Sequence, residues 1–239
     1  MKRIFYIGIF GMITVVLLSS CSLFSNKREV QPRNGMLLIG DEQPLQEIIS
    51  QYKSEINSHA LYKIKQSKIE GSNTLILKRS TIEELIKQAL LRKPDDEKSP
   101  NFFDVKAVKT LPITKKDTTL LLSRYDTSEN IKEIKEIKIN GIKFKVQHDS
   151  PSWFGYGPDS SFEAIIAVVS DEVFNEVPVL ETSMVTLHFK ESYGSLTDEI
   201  TPPDISDNDA FEKNTEWLRL TKNIKKRVKH LKSISYLEK

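Results

Sequence analysis

Cysteine is nearly absent. The chain of 239 residues carries one, Cys21, so no disulfide can close within it and its stability must come from an apolar core. Glycine is sparse at 9 residues and never clusters into a phosphate-cradling loop, which removes the usual nucleotide-binding signatures. No GxSxG elbow is present to present a serine nucleophile. The 4 histidines, His59, His148, His188 and His230, are scattered and none falls in an HExxH or HxxxH spacing. Without cysteine partners a zinc site would need distant parts of the chain to converge, so no metal and no cofactor is expected. Long apolar runs are missing too: the apolar run from Ile4 to Leu18 is 15 residues, against about 20 needed to cross a bilayer as a helix.

That stretch has a different meaning. It follows two positive charges, Lys2 and Arg3, and leads into the small residues Ser19 and Ser20 and then Cys21. Basic start, apolar middle and small residues before a cut describe a secretory signal. The segment Leu18 to Cys21, LSSC, resembles the lipobox of bacterial lipoproteins. The resemblance implies cleavage before Cys21 and a diacylglyceryl group on its sulfur, which fastens the mature chain to a membrane. Two acyl chains hold a protein stably where one does so only marginally. Residues 1–20 are thus expected to be a signal peptide, and 21–34 the lipidated cysteine with a polar tether, SNKREVQPRN. Residues 35–239 are expected to be a single extracytoplasmic domain on the outer face of the cell membrane.

Removing residues 1–20 takes away Lys2 and Arg3, so Lys+Arg falls from 35 to 33 and equals Asp+Glu at 33. A neutral mature chain gives no electrostatic ground for binding nucleic acid. Its wealth of Lys, Ile, Ser and Glu resembles proteins of low-GC Gram-positive bacteria, and the whole resembles uncharacterised surface lipoproteins of the Bacillus group.

Periodicity predicts an α+β fold, with a mixed or antiparallel sheet, flanking helices and a long C-terminal amphipathic helix. Three strand-then-helix units are visible. GMLLIG, residues 35–40, precedes a helix in which Leu45, Ile48, Ile49 and Tyr52 form one face. TLILKR precedes STIEELIKQALLRK, where Ser80 or Thr81 with Glu83 or Glu84 reads as a capping box and Pro94 as the stop. FEAIIAVVSDEVFNEV places a cap at Ser170 or Asp171. VTLHFKE, residues 185–191, reads as a further strand.

Asn140-Gly141 is a strong hairpin signal, because a type I′ turn needs positive φ at both central positions. The turn sets Ile139 opposite Ile142, Ile137 opposite Phe144 and Glu136 opposite Lys145. From Asp209 to about Ser233, Phe211, Trp217, Leu220, Ile224, Val228 and Leu231 make one stripe of a long helix, with Asp209 and Glu212 at its start.

Three stretches carry candidate sites. In SPSWFGYGPDSSF, residues 150–162, Trp153, Phe154 and Tyr156 sit among Gly, Pro and Ser. Exposed, these rings could stack on a sugar or grip a partner; buried, they would plug the core, which is the commoner fate of such rings. Asp204, Asp207 and Asp209 invite a calcium reading, but the turn glycine and bidentate glutamate of a calcium loop are not in place, and helix capping accounts for them more simply. Residues 217–232, WLRLTKNIKKRVKHLK, hold seven Lys or Arg and no acid. Lys222, Lys225, Lys226 and Lys229 would face away from the apolar stripe, placed to meet anionic lipid headgroups or wall polymers; a solvated basic face is the plainer account.

The leading expectation for function is a membrane-anchored, non-enzymatic binding or accessory lipoprotein with an envelope protein as partner. MLLIGDEQPLQEI and IIAVVSDEVFNEV resemble strand–helix pieces of the extracellular domains of ABC-type permeases, which implies a place beside a transporter. The competing class is a cell-envelope hydrolase acting on wall material or peptides, since any two of the carboxylates could converge in space. A wall protein with a structural or regulatory role is the third.

Overall fold

The computed structural model describes residues 31–96, 105–115, 117–123, 133–149, 151–155, 164–199 and 201–236. The folded unit begins at Gln31. Its centre is a nine-stranded mixed sheet. In chain order the strands are β1 (Gly35–Gly40), β2 (Ile56–Ile69), β3 (Ser72–Lys78), β4 (Leu91–Pro94), β5 (Val105–Ala107), β6 (Thr118–Ser123), β7 (Glu136–Ile139), β8 (Ile142–His148), β9 (Trp153–Phe154), β10 (Ile165–Val169), β11 (Glu181–Phe189) and β12 (His230–Ile234). The helices are α1 (Glu42–Gln51), α2 (Arg79–Lys87), α3 (Asp171–Glu176) and α4 (Asn208–Lys225), with a 3-10 turn at Leu196–Glu199.

The large sheet runs β12-β1-β11-β2-β3-β10-β6-β8-β7, and β5-β4-β9 form a separate antiparallel sheet. Among the described strands only the β3–β10 and β6–β8 pairings are parallel. Both faces of the large sheet are covered. Leu37, Ile39, Ile64, Leu75, Leu77, Ile166 and Val168 point to one face, where α2, through Ile82 and Leu85, and the small sheet, through Leu91 and Phe154, close over them. On the opposite face Met36, Leu38, Val185 and Leu187 meet Leu45 and Ile48 of α1 and Trp217, Leu220 and Ile224 of α4. Farther along that face Ile76, Leu121, Ala167 and Val169 pack on Phe174 of α3. Strands buried on both sides lose the polar alternation of a half-exposed strand; β1 and β10 are buried at every residue.

Hairpin β7–β8 has the register its turn dictates: Ile139 opposite Ile142, Ile137 opposite Phe144, Glu136 opposite Lys145, with φ of 45° at Asn140 and 94° at Gly141. The charges pair elsewhere instead, Glu136 diagonally with Lys143 at 2.6 Å and Lys145 with Asp117, just before β6, at 3.1 Å. Ser170 caps α3 as expected, its Oγ accepting from Val173 N at 3.2 Å.

Other elements depart from expectation. Lys78, not Ser80 or Thr81, stands at the N-cap of α2, and the Ser80 Oγ–H and N–H both donate to the Asp171 carboxylate, at 2.6 and 3.2 Å. The helix also stops at Lys87, because Ala89 turns the chain with φ of 57° and Leu91–Pro94 pairs as a strand. The C-terminal helix ends at Lys225 rather than near Ser233. Past it the chain turns, Lys229 N donates to Ile39 O at 2.8 Å, and residues 230–234 pair with β1 along its open edge. A ladder of backbone hydrogen bonds to β1 outweighs continuing the helix, whose stripe residues Val228 and Leu231 still pack on the same core from the strand side.

Candidate functional site

The N-terminal lead-in to β1 is bound into the domain. Arg33 is 1% exposed, and its guanidinium donates from Nε and Nη2 to Tyr193 O at 3.2 and 2.7 Å and from Nη2 to Asn214 Oδ1 of α4 at 2.9 Å. It lies 5.2 Å from the centre of the Trp217 ring, and Asp198 stands 3.8 Å away as its counter-charge. Burial lowers the Arg33 pKa, and the carboxylates of Glu199 and Asp198 act against that shift. Asp198 also accepts from Ser195 N at 2.7 Å, and its carboxylate fills the space where a Cβ on Gly194 would stand, at φ of 92°. Backbone bonds from Arg33 N to Gly194 O and from Leu196 N to Gln31 O complete the clasp. Residues 31–34, expected to be tether, therefore sit inside the folded unit beside α4.

The basic helix divides into distinct parts. Arg227 reaches back to α1, donating to Gln51 Oε1 at 2.7 Å and Glu47 Oε2 at 3.1 Å. Lys232 lies on β12 and is buried. Lys229 lies beyond the helix, and its ammonium pairs with Asp41 at 3.0 Å, so it is displaced from the face it was expected to share. Lys222 and Lys225 on α4 and Lys226 at its C-cap remain exposed, and no described carboxylate pairs with them.

The 3.6-residue period places these three lysines on the side opposite Trp217, Leu220 and Ile224, together with Phe211, Thr215 and Leu218. Phe211 is 44% exposed and Leu218 58% exposed. Phe211 was expected in the buried stripe and is not there. Leu218 escapes a reading that looks only for the buried stripe. The signal was the seven-residue step from Phe211 to Leu218 to Lys225, which returns to one face every two turns. A shallow cleft lined by Phe211, Glu212, Thr215, Glu216 and Arg219 runs along the flank of this face.

Trp153 and Phe154 have the other fate. Both are fully buried: β9 pairs with β4, setting Trp153 opposite Arg92 and Phe154 opposite Leu91, and Phe154 joins the core beneath the small sheet. They plug the interior and present no ring to a ligand. Tyr156 lies outside the described residues.

The acidic loop is occupied locally. Asp204 accepts from Ser206 N at 2.9 Å, which holds its carboxyl below the usual range. Asp207 caps α4 through Ala210 N at 3.1 Å, taking the place expected of Asp209, and Asp209 pairs with Lys213 at 2.7 Å. Among the described residues no three His, Cys, Asp or Glu side chains converge as a metal site. His188 stacks on Tyr236 at 4.3 Å, and His148 Nε2 lies 2.7 Å from Ile134 O. A second cleft, at the start of α2, is lined by Arg79, Thr114, Lys115 and Ser170, but the Arg79 guanidinium is already committed to Glu83, Thr114 and Pro112 O. Among the described residues no helix is long and apolar enough to cross a membrane.

A mixed sheet covered on both faces, preceded in sequence by a segment that resembles a lipobox, fits one class: the folded α+β domain of a lipoprotein. The model of an uncharacterised lipoprotein family matches residues 33–234, and the chain belongs to that family. The match opens at the buried Arg33 and closes at the last residue of β12, spanning the folded unit. Among solved structures, the 1.5 Å crystal structure of a candidate lipoprotein from Bacillus anthracis shares the fold, with a TM-score of 0.61 at 20% identity over 85% of this chain and 99% of that one. No curated protein matches the chain.

Proposed function

We propose that this lipoprotein is held on the outer face of the cell membrane by a diacylglyceryl group on Cys21, and that its domain acts by contact, as a binding or accessory module for an envelope protein. The position of Cys21 carries the reading. It ends a basic-apolar-small signal pattern and stands ten residues before Gln31, where the folded unit begins. An extended chain gains at most about 3.6 Å per residue, so the domain stays within about 36 Å of its anchor. Such a tether suits a module that works on something at the same membrane. The two segments that resemble pieces of ABC-type permease extracellular domains fold as β1–α1 and β10–α3, strand then helix in each case, which supports a transporter complex as the partner.

The test is crosslinking and affinity recovery of the tagged, full-length protein from its native membrane, with Cys21→Ala as control. The reading predicts a membrane complex recovered with the wild-type chain and lost with the variant. Equal recovery from both, or nothing beyond background, contradicts it.

A further inference from the structure

On the anchor reading above the lipid is one attachment; the outward side of α4 has the composition for a second. Along the outward side of α4, Phe211 and Leu218 stand exposed two turns apart, about 10 Å along the helix axis. Lys222, Lys225 and Lys226 continue the same side toward the C-terminus. The acids of this helix, Asp209, Glu212 and Glu216, fall to its flank. An apolar pair continued by lysines with which no described carboxylate pairs, the carboxylates Glu212 and Glu216 lying on the flank cleft that Phe211 borders, is the composition of a helix that lies in a membrane interface.

What covers this face follows from where the chain leaves the domain. Arg33 binds Asn214 and stacks against Trp217, so the described chain enters the domain against the inner side of α4 at mid-length. A helix is about 10–12 Å across with its side chains, and the ten residue steps from Cys21 to Gln31 can reach at most about three times that far. The outward face can therefore meet the bilayer that holds Cys21 without strain on the tether.

We propose that this face, Phe211, Leu218, Lys222, Lys225 and Lys226, docks on the anionic lipid surface to which the chain is anchored, fixing the orientation of the domain. Phe211 and Leu218 enter the headgroup boundary and the lysines meet lipid phosphates. The proposal rests on the anchor reading above. Removing one such lysine weakens contact with an anionic surface by about fivefold.

The sequence suits a direct test. Once Cys21 is lipidated its sulfur is consumed, so an introduced cysteine is the only free thiol. The full chain, lipidated, carries Leu218→Cys with an environment-sensitive fluorophore. In a second preparation it carries Ile113→Cys, an exposed position beside Arg79 at the start of α2, on the opposite face of the sheet. Each is reconstituted into vesicles of phosphatidylcholine alone or mixed with phosphatidylglycerol.

On anionic vesicles the probe at 218 shifts to the blue and its quenching by iodide falls by about threefold or more, as burial in the headgroup region requires; the probe at 113 does not change. Lys222→Glu, Lys225→Glu and Lys226→Glu together abolish the shielding while the protein still sediments with vesicles. Equal quenching at 218 and 113 on anionic vesicles, with the protein sedimenting, overturns the docking face and leaves the anchor standing. Protein that does not sediment overturns both. Shielding at 218 that persists in detergent without lipid assigns the face to a second copy of the chain and overturns the lipid contact.

Discussion

Asn34 and Tyr236, 202 residues apart, hold each other by two hydrogen bonds: Asn34 Nδ2 donates to Tyr236 O at 2.9 Å, and Tyr236 N donates to Asn34 Oδ1 at 2.8 Å. Asn34 also offers its carbonyl to Phe189 N at 2.8 Å, so one residue ties β1 and β11 to the end of the chain. The side chain is buried and its amide is used from both ends. Asn34→Ala leaves a part-buried donor and acceptor on Tyr236 without partners, which costs about 1 kcal/mol. Urea unfolding of the full chain should show that loss with an unchanged slope. A variant as stable as wild type would mean that water replaces the amide.

Lys65, on β2, is a buried cation within the large sheet. Its ammonium donates to Phe174 O and Val177 O, both at 2.7 Å, at the C-terminal end of α3, and lies 4.8 Å from the centre of the Phe174 ring. Cations there complement the helix end. Lys65→Met keeps the stem but strips two buried carbonyls of their donor. We expect about 2 kcal/mol of destabilisation, with amide exchange fastest in residues 171–177. A neutral or stabilised variant would show that relief from burying the charge outweighs the lost bonds.

Alkaline pH should unfold the domain through its tyrosines. Burial pushes Tyr193 up to about 12, raises Tyr236 further and raises Tyr62 as well. The folded state favours the neutral phenols. Their contribution is whole below the unfolded value of about 10 and is lost as pH rises toward the folded value, by up to about 1.4 kcal/mol per pH unit for each. Stability measured by denaturant between pH 9 and 12 should fall above 10, and Tyr193→Phe with Tyr236→Phe should flatten the fall. A slope unaltered in the double variant would assign it to other groups.

Both tryptophans, Trp153 and Trp217, are buried, at 0% and 2% exposure. Native fluorescence should be blue and almost untouched by iodide, with quenching appearing only on unfolding. Trp153→Ala should cost about 3–5 kcal/mol through the cavity beneath β4 and β9. Strong quenching that disappears in Trp153→Phe would return the ring to the surface.

Residues with a local rule were legible before any coordinates. Asn140-Gly141 dictates its turn and with it every pair of β7–β8, and Ser170 caps α3 because a hydroxyl beside a free helix N–H has one obvious partner. The strand–helix alternation at 35–51 and 165–176 follows from a change of period. What escaped was decided at long range. The 14 residues of β2, INSHALYKIKQSKI, look too polar for a central strand, yet Lys65 is sunk there against α3 and its neighbours line the sheet. Residues 89–94 carry a helical pattern overridden by pairing with β5 and β9, and 230–234 by pairing with β1. Arg33 reads as part of a polar tether until Asn214 and Tyr193, each at least 160 residues away, close around it. On α4 the lysines were visible in sequence, but the turn at Lys226 that removes Lys229 and the outward Phe211 belong to the tertiary structure.

The central claim is that Cys21 is the lipid-bearing first residue of the mature chain. Mass spectrometry of the N-terminal tryptic peptide from protein extracted from its own membranes tests it most directly. The account predicts a peptide running from Cys21 to Lys27 and carrying a diacylglyceryl group, and absent from the Cys21→Ala variant. An unmodified peptide beginning at Cys21, or a chain that still contains residues 1–20, would contradict it.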